Sequence, residues 1–410
     1  MTDVVFPYQT VRDVDVAGKT VLMRVDYNVP LTPEGAIADD FRVTASLPTI
    51  QYLIEHGAKV VLIAHLGRPK GQRNDKYSLQ PVATDLSEKL HRPVTFINDC
   101  IGDTVHAAVN QLQVGDVTLL ENLRFYNGEE ENDQNFAKQL AKSSGADLFV
   151  QDGFGVVHRP HASTVAIATI LPSVAGLLLE REYLAIKNAT DAPNRPLTAV
   201  IGGAKISDKM PLVRKFMEIA DNVVIGGALA NNILKHQGYD IGNSLVEDGA
   251  ESLVADIMAE AEQKYGSSLS EKFITPRDVA VSMDGSLAGA ARVEKALDAV
   301  RAPEVIFDSG ERTIDAVDRV VEASGTVIWN GTLGMAEYPA FSRGSARLAL
   351  TLAKNPQIIS VIGGGDTADF VRNWDTLHGG SFTHVSTGGG ASLELMAGDI
   401  LPGIDALMRK

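Results

Sequence analysis

Arg42 in DDFRV, His65 and Arg68 in HLGRP, Arg124 in ENLRF, and His158, Arg159 and His161 in HRPHAS crowd cationic groups into short polar stretches of the first half of the chain. Asp26 and Asn28 in RVDYNVP add an acceptor and an amide. Guanidinium groups grip carboxylate or phosphate at two points, so such a set suits a small, highly charged anion. Taken singly, each arginine reads as a solvated surface charge, and His158 and His161 as structural histidines. Taken together, each following an apolar run, they read as an anion site.

The second half offers glycine instead: VIGGAKISDK, IGGALANNI, IFDSGERTI, WNGTLGMAE, IGGGDTADF and STGGGASLE. A phosphate needs backbone N–H groups with no Cβ in the way, and a helix N-terminus supplies donors and partial positive charge together. Asp366 and Thr367 stand where a helix should begin. Asp366 is an N-cap in one reading and a Mg²⁺-holding carboxylate in the other. Lys205 and Lys209, four apart, share a helix face beside a glycine turn, either as a surface pair or as phosphate ligands. Neither GxxxxGK[ST] nor a GxGxxG after the first strand is present. One half suits a small polyanion and the other a nucleotide phosphate tail, which together suggest phosphoryl transfer with hinge closure across a cleft.

Elements that would hold these groups are legible. Runs at 20–27, 60–65, 94–99, 117–122, 147–152, 197–203, 222–227, 304–310, 325–331, 357–364 and 382–388 read as buried strands. They are continuously apolar rather than alternating, which suits parallel strands covered on both faces. Helical spacing at 41–58 and 208–221 makes the pattern α/β. An amphipathic helix over 176–190, followed by DAPNRP, divides an N-terminal unit (1–175) from a C-terminal one (191–392).

At 410 residues the chain exceeds one ordinary core, and its 22% charged composition is that of a globular protein. A net charge of −15 argues against general affinity for nucleic acid or an anionic membrane, so any anion site is local. The single Cys100 permits no internal disulfide and reads as a buried filler rather than a catalytic thiol. MTDVVFPYQ lacks the pattern of a signal peptide, and Pro172 breaks the longest apolar run, 165–179. The expectation is a cytoplasmic protein.

In order along the chain, RVDYNVP, DDFR, HLGRP, ENLRF, DGFGVVHRPHAS, GGAKISDK, WNGTLGMAE, GGGDTADF and STGGGASLELM closely resemble the signatures of the phosphoglycerate kinases. The resemblance implies two Rossmann-like three-layer domains with parallel sheets, joined by a long helix, with a cleft between them and a tail, about 393–410, packing back on the first. It implies Mg²⁺-dependent, reversible phosphoryl transfer between 1,3-bisphosphoglycerate and ADP, giving 3-phosphoglycerate and ATP, in a monomer. Asp26, Asn28, Arg42, His65, Arg68, Arg124 and Arg159 would bind 3-phosphoglycerate. Lys205, Lys209, Gly227, Gly310, Asn330, Glu337, Gly363, Gly364, Gly365, Asp366 and Thr367 would serve the nucleotide, with Glu337 on the ribose and Asp366 on Mg²⁺. Arg42 and Lys205 would bracket the transferring phosphoryl, with amides of 363–365 and 388–390, Gly365 and Gly388 among them, as further donors. The acceptor carboxylate is already ionised at neutral pH, so no general base is needed.

Thr332, Ala336, Glu311, Ala228, Asn231 and Asn232 depart from the family pattern, all in the nucleotide half. They suggest a more polar pocket that accepts GDP within about tenfold of ADP. A nicotinamide-dependent dehydrogenase is disfavoured by the missing GxGxxG. A non-catalytic two-lobed sensor of a phosphorylated metabolite is the remaining alternative, although a sensor has no use for transition-state cations.

Overall fold

The computed structural model describes residues 4–283, 289 and 291–410. Two compact units divide the chain: Val5–Leu184 with Asp399–Lys410, here the first unit, and Ala185–Gly398 with the extreme N-terminus, the second. The division falls inside the helix Leu177–Asp191.

In the first unit, six parallel strands, β1 (Thr20–Arg24), β2 (Lys59–Ile63), β3 (Val94–Ile97), β4 (Val117–Leu120), β5 (Leu148–Gln151) and β6 (Ser173–Ala175), lie in the order β3-β4-β2-β1-β5-β6. Period-two geometry explains the unbroken apolar runs. Val21, Met23, Val60, Leu62 and Val150 enter one core; Leu22, Val61, Ile63, Leu120 and Phe149 enter the other, on the opposite face. Strand β6 is three residues long, too short for a readable pattern, and was not expected from the sequence. The C-terminal residues return to this unit: Gln9 donates to the Met408 carbonyl at 2.8 Å and Met408 to Ser173 at 3.0 Å. Cys100 is buried, and burial pushes its thiol well above the ordinary range, so it is a filler.

The second unit holds β7 (Leu197–Ile201), β8 (Asn222–Ile225), β9 (Phe273–Ile274), β10 (Asp278–Ser282), β11 (Val293–Ala296), β12 (Val305–Ser309), β13 (Thr326–Asn330), β14 (Ile359–Gly363) and β15 (His384–Val385). Six form a parallel sheet, β15-β14-β13-β7-β8-β9. The run at 304–310, read above with the parallel strands, instead joins an antiparallel sheet, β11-β10-β12. A short apolar run carries no direction, and β12, like the parallel edge strand β3, is only part-buried along its first three residues, so burial does not mark its direction either.

Asp152 ends the β5 segment and sits at the head of the helix Leu177–Asp191. Its Oδ1 accepts the amides of Leu178 (2.9 Å) and Leu179 (3.2 Å), donors that a helix start leaves unpaired. Burial pushes the carboxyl up to about 7, against the lowering effect of those bonds. The folded state therefore holds the proton more tightly than the unfolded chain. The stabilising contribution is complete below about pH 4 and is lost as pH rises toward 7. Asp152→Asn should flatten this part of the profile: between about pH 4.5 and 7.5 the urea midpoint should fall less than in wild type. Parallel profiles for the two proteins would remove Asp152 as the source.

Candidate active site

In the first unit the cationic residues gather beyond the carboxyl ends of β1, β2, β4 and β5. Asp26 is buried, and its Oδ2 lies 3.1 Å from Arg42 Nη1. The same Nη1 donates to the Asn28 carbonyl at 3.1 Å. Asn28 Oδ1 accepts from the Gly67 amide at 2.8 Å, which ties the β1 loop to the HLGRP turn. Arg124 donates to the Gly67 carbonyl at 2.8 Å, and its Nε is buried with no hydrogen-bond partner among the described residues. Arg68 is exposed, and Arg159 half-buried with its Nε donating to His158 Nε2 at 3.1 Å. The structure thus brings Asp26, Asn28, Arg42, His65, Arg124 and Arg159 to one region, with Arg68 on its exposed side.

The sequence reading missed what supports this set. Arg24, wholly buried, donates to His65 Nδ1 at 3.1 Å. Arginine can only donate, so Nδ1 accepts and the His65 proton sits on Nε2. Burial, then Arg24, Arg124 and Arg42, hold the His65 pKa well below its usual value, so the ring is neutral. Glu129, also wholly buried, lies 3.8 Å from Arg24 and from His161 and accepts both the N–H and the hydroxyl of Ser163. Burial and the neighbouring arginines depress His161 to about 3. A charge inside the apolar run LMRVDY was the available signal for Arg24. Glu129, in the acidic GEEEND, gave none.

In the second unit the loops after the parallel strands interlock through their main chains. A Cβ on Gly202 would lie 2.1 Å from the Thr332 carbonyl, and one on Gly331 2.1 Å from the Gly202 carbonyl. Gly227, at φ +64°, packs against Gly203 and Thr332 in the same way. These glycines are required by loop-against-loop contact. Open space surrounds Gly365 and Gly389, so these are the glycines whose backbone a ligand could approach. Gly364, not Asp366, is the N-cap of the helix Gly365–Trp374, and it offers no side-chain cap. Asp366 is exposed in the first turn, where the capping reading fails and the carboxylate is available. The Thr367 hydroxyl accepts the Gly331 N–H at 2.7 Å.

Lys209 reaches from the helix Ile206–Ile219 to donate to Asn330 Oδ1. Burial lowers its ammonium to about 8, although Asp366 and Asp208 act the other way. Lys205 is the exposed N-cap of that helix. Gly363 ends β14, where an added Cβ would meet Met396 and Ser392, and the Gly388 amide already donates to the Ser386 hydroxyl at 3.1 Å. A pocket of about 300 Å³ opens beside these loops; Gly227, Leu245, Val279, Ile306, Glu337 and Asp366 are on its wall. Gly310 is not among the lining residues. It packs against the Asp278 carboxylate, which a Cβ would meet at 2.4 Å.

A family model described as phosphoglycerate kinase matches residues 11–399. Phosphoglycerate kinase of Pelotomaculum thermopropionicum is 44% identical over 402 residues, covering 98% of this chain and 99% of the relative. The chain belongs to the phosphoglycerate kinase family. It is therefore a transferase, a kinase of glycolysis, and the sensor alternative falls. Phosphoglycerate kinase of Dictyoglomus turgidum is 43% identical, covering 97% of this chain and 98% of its own. The fold agrees: the solved phosphoglycerate kinase of Coxiella burnetii superposes with a TM-score of 0.84 at 37% identity over 98% of each chain. That of Pyrococcus horikoshii gives 0.80 at 32%, over 97% and 98%.

Against the phosphoglycerate kinase pattern, the departures prove less polar in effect than their residue types suggest. Glu311 turns to Arg343 (3.5 Å) and does not line the pocket. Asn232 is spent on backbone, donating to the Ala228 carbonyl at 3.3 Å and accepting from Glu247 at 3.0 Å. Asn231, Ala228 and Thr332 do line the pocket, but the Asn231 amide is committed to the Leu245 carbonyl at 3.0 Å. Ala336 does not line it. The expectation of easy GDP acceptance thus loses the support of Glu311 and Asn232.

Lys209 yields a pH signature. It is charged below about 8 and neutral above, and only the ammonium attracts phosphate. Affinity for ADP, followed by calorimetry, should fall as pH rises from about 7 to about 9. Lys209→Arg, which stays charged throughout, should abolish the fall; an unchanged slope would exclude Lys209.

Proposed function

We propose that the first unit binds 3-phosphoglycerate or 1,3-bisphosphoglycerate through Asp26, Asn28, Arg42, His65, Arg68, Arg124 and Arg159, and that the second binds ADP or ATP. The observation that supports this most is the fully buried Arg24–His65 contact at 3.1 Å beneath the surface arginines. Glu129 balances Arg24 and His65 is neutral, so the cations left above them for an anion of high charge are Arg42, Arg68, Arg124 and Arg159. In the second unit the nucleoside occupies the apolar pocket, with Glu337 at the ribose. The amides of Gly365, Asp366 and Thr367, at the start of an uncapped helix, face the phosphates.

The residues fit Mg²⁺ of the kind that travels with a nucleotide. Among the described residues no cluster of three or more His, Cys, Asp or Glu forms a protein cage. Asp366 offers one exposed carboxylate on the pocket wall, which would hold the ion together with the nucleotide's own phosphates. The bound ion would neutralise phosphate charge. In the direction of ATP synthesis, a β-phosphate oxygen of ADP bonds to the phosphorus of the acyl phosphate and the bond from that phosphorus to the carboxyl oxygen breaks, leaving an ionised carboxylate. The leaving group needs no proton, which agrees with a site whose histidines are held neutral. Arg42 supplies charge at the acyl phosphate and Lys205 and Lys209 at the nucleotide, so catalysis is positioning and electrostatic stabilisation. No helix among the described residues is long and apolar enough to cross a membrane. A cytoplasmic monomer without affinity for nucleic acid fits that and the acidic net charge.

A coupled assay for 3-phosphoglycerate-dependent ATP consumption tests the activity. Arg42→Ala should lower kcat on the order of 10²-fold with far smaller change in either KM; a pure KM effect would make Arg42 an anchor only. Asp366→Ala should weaken MgADP binding and leave 3-phosphoglycerate binding near normal. Loss of stability with nucleotide affinity kept would return Asp366 to a structural role.

A further inference from the structure

Arg292 stands at the end of the segment that enters β11, in a stretch to which the sequence reading gave no function. Its side chain is only 6% exposed and makes four bonds to four residues, in β11, in β12 and in the loop that reaches Ala340. Nε donates to Glu294 at 2.8 Å. Nη1 donates to Asp308 Oδ2 at 2.7 Å and to the Ala340 carbonyl at 3.1 Å. Nη2 donates to the Ser309 carbonyl at 2.7 Å. Asp308 and Ser309 close one wall of the pocket, and Ala340 follows the 331–337 loop that forms another.

Asp308 continues the chain of support. Its carboxylate accepts the Gly344 amide at 3.2 Å and lies directly under Gly334, where an added Cβ would meet Oδ1 at 2.4 Å. Next to Gly334, Met335 donates to the Phe307 carbonyl at 2.9 Å. The floor of the pocket therefore rests on Asp308, and burial, which pushes that carboxyl up to about 6, would favour its neutral form still more without a cation beside it.

From this geometry we infer that Arg292 is a positioning residue for the nucleoside: by clamping Asp308, Ser309 and Ala340 together it holds the antiparallel β10–β12 sheet and the 331–341 loop at the spacing a purine nucleoside needs. The inference rests on the reading of this pocket as the nucleotide site. Removing Arg292 leaves buried Asp308 without its cation and the Ser309 and Ala340 carbonyls without their donor, so the walls should part rather than relax in place.

The test compares wild type, Arg292→Met, Arg292→Lys and Ala228→Trp, which fills the pocket, by calorimetric titration with ADP and with 3-phosphoglycerate and by the coupled assay. Arg292→Met should raise Kd and KM for ADP about tenfold or more, with kcat within about twofold and 3-phosphoglycerate affinity unchanged. Arg292→Lys, which keeps the charge but not the fork, should recover part of the loss. A merely structural role would lower the melting temperature and leave ADP affinity at the wild-type value, and that result overturns the inference. Should Arg292→Met not fold, Asp308→Asn is read in its place, with the same rise expected and an unchanged Kd again overturning it. Loss of ADP binding in Ala228→Trp together with unchanged binding in Arg292→Met overturns the clamp alone; retained ADP binding in Ala228→Trp overturns the pocket and the clamp with it.

Discussion

A parallel sheet covered on both faces has no side on which to keep a charge. Along β1 and β2, alternate residues are divided between two cores, and nothing hydrophilic can be placed there cheaply. Chemistry is driven to where the strands end. In the first unit that place carries guanidinium groups and in the second it carries bare peptide, and both solutions answer the same constraint. Arg24 is the exception that shows the rule: a charge on the last residue of a buried strand survives because His65, Glu129 and a carbonyl receive it.

That constraint also explains what could be read in advance. Apolar runs without alternation announced the parallel strands, and the loops that followed them announced Arg42, Arg124, Lys209 and Asp366. Direction was illegible where a run was short, as at β12, and existence was illegible at β6, whose three residues carry no period. Long-range polar partners left no local trace. Glu129 lies in what reads as an acidic surface helix, and Arg292 and Asp308 are sixteen residues apart with no spacing that pairs them. Glycines were the subtlest case. Their count predicted a phosphate cradle, but Gly202, Gly227, Gly310 and Gly331 owe their identity to neighbouring atoms of the protein itself.

An overall charge of −15 sets both half-sites against the field of the rest of the molecule. Local cations must therefore be held firmly, and carboxylates do the holding: Asp26 for Arg42 and Glu130 for Arg124. Pairing lowers the cost of burial without spending all of a guanidinium's five donors, as the unpartnered Nε of Arg124 shows.

The main-chain interlock of Gly202, Gly227 and Gly331 separates two properties that usually change together in evolution. Loop position there is fixed by carbonyl and amide contacts, such as the Gly203 N–H on the Thr332 carbonyl at 3.2 Å and the Gly227 N–H on the Leu333 carbonyl at 3.1 Å. Side chains at 332 and 336 are bystanders to that fastening. They can drift between sizes and polarities while the peptide groups stay in register, so this stretch of the chain can explore new ligand contacts without first losing the old geometry.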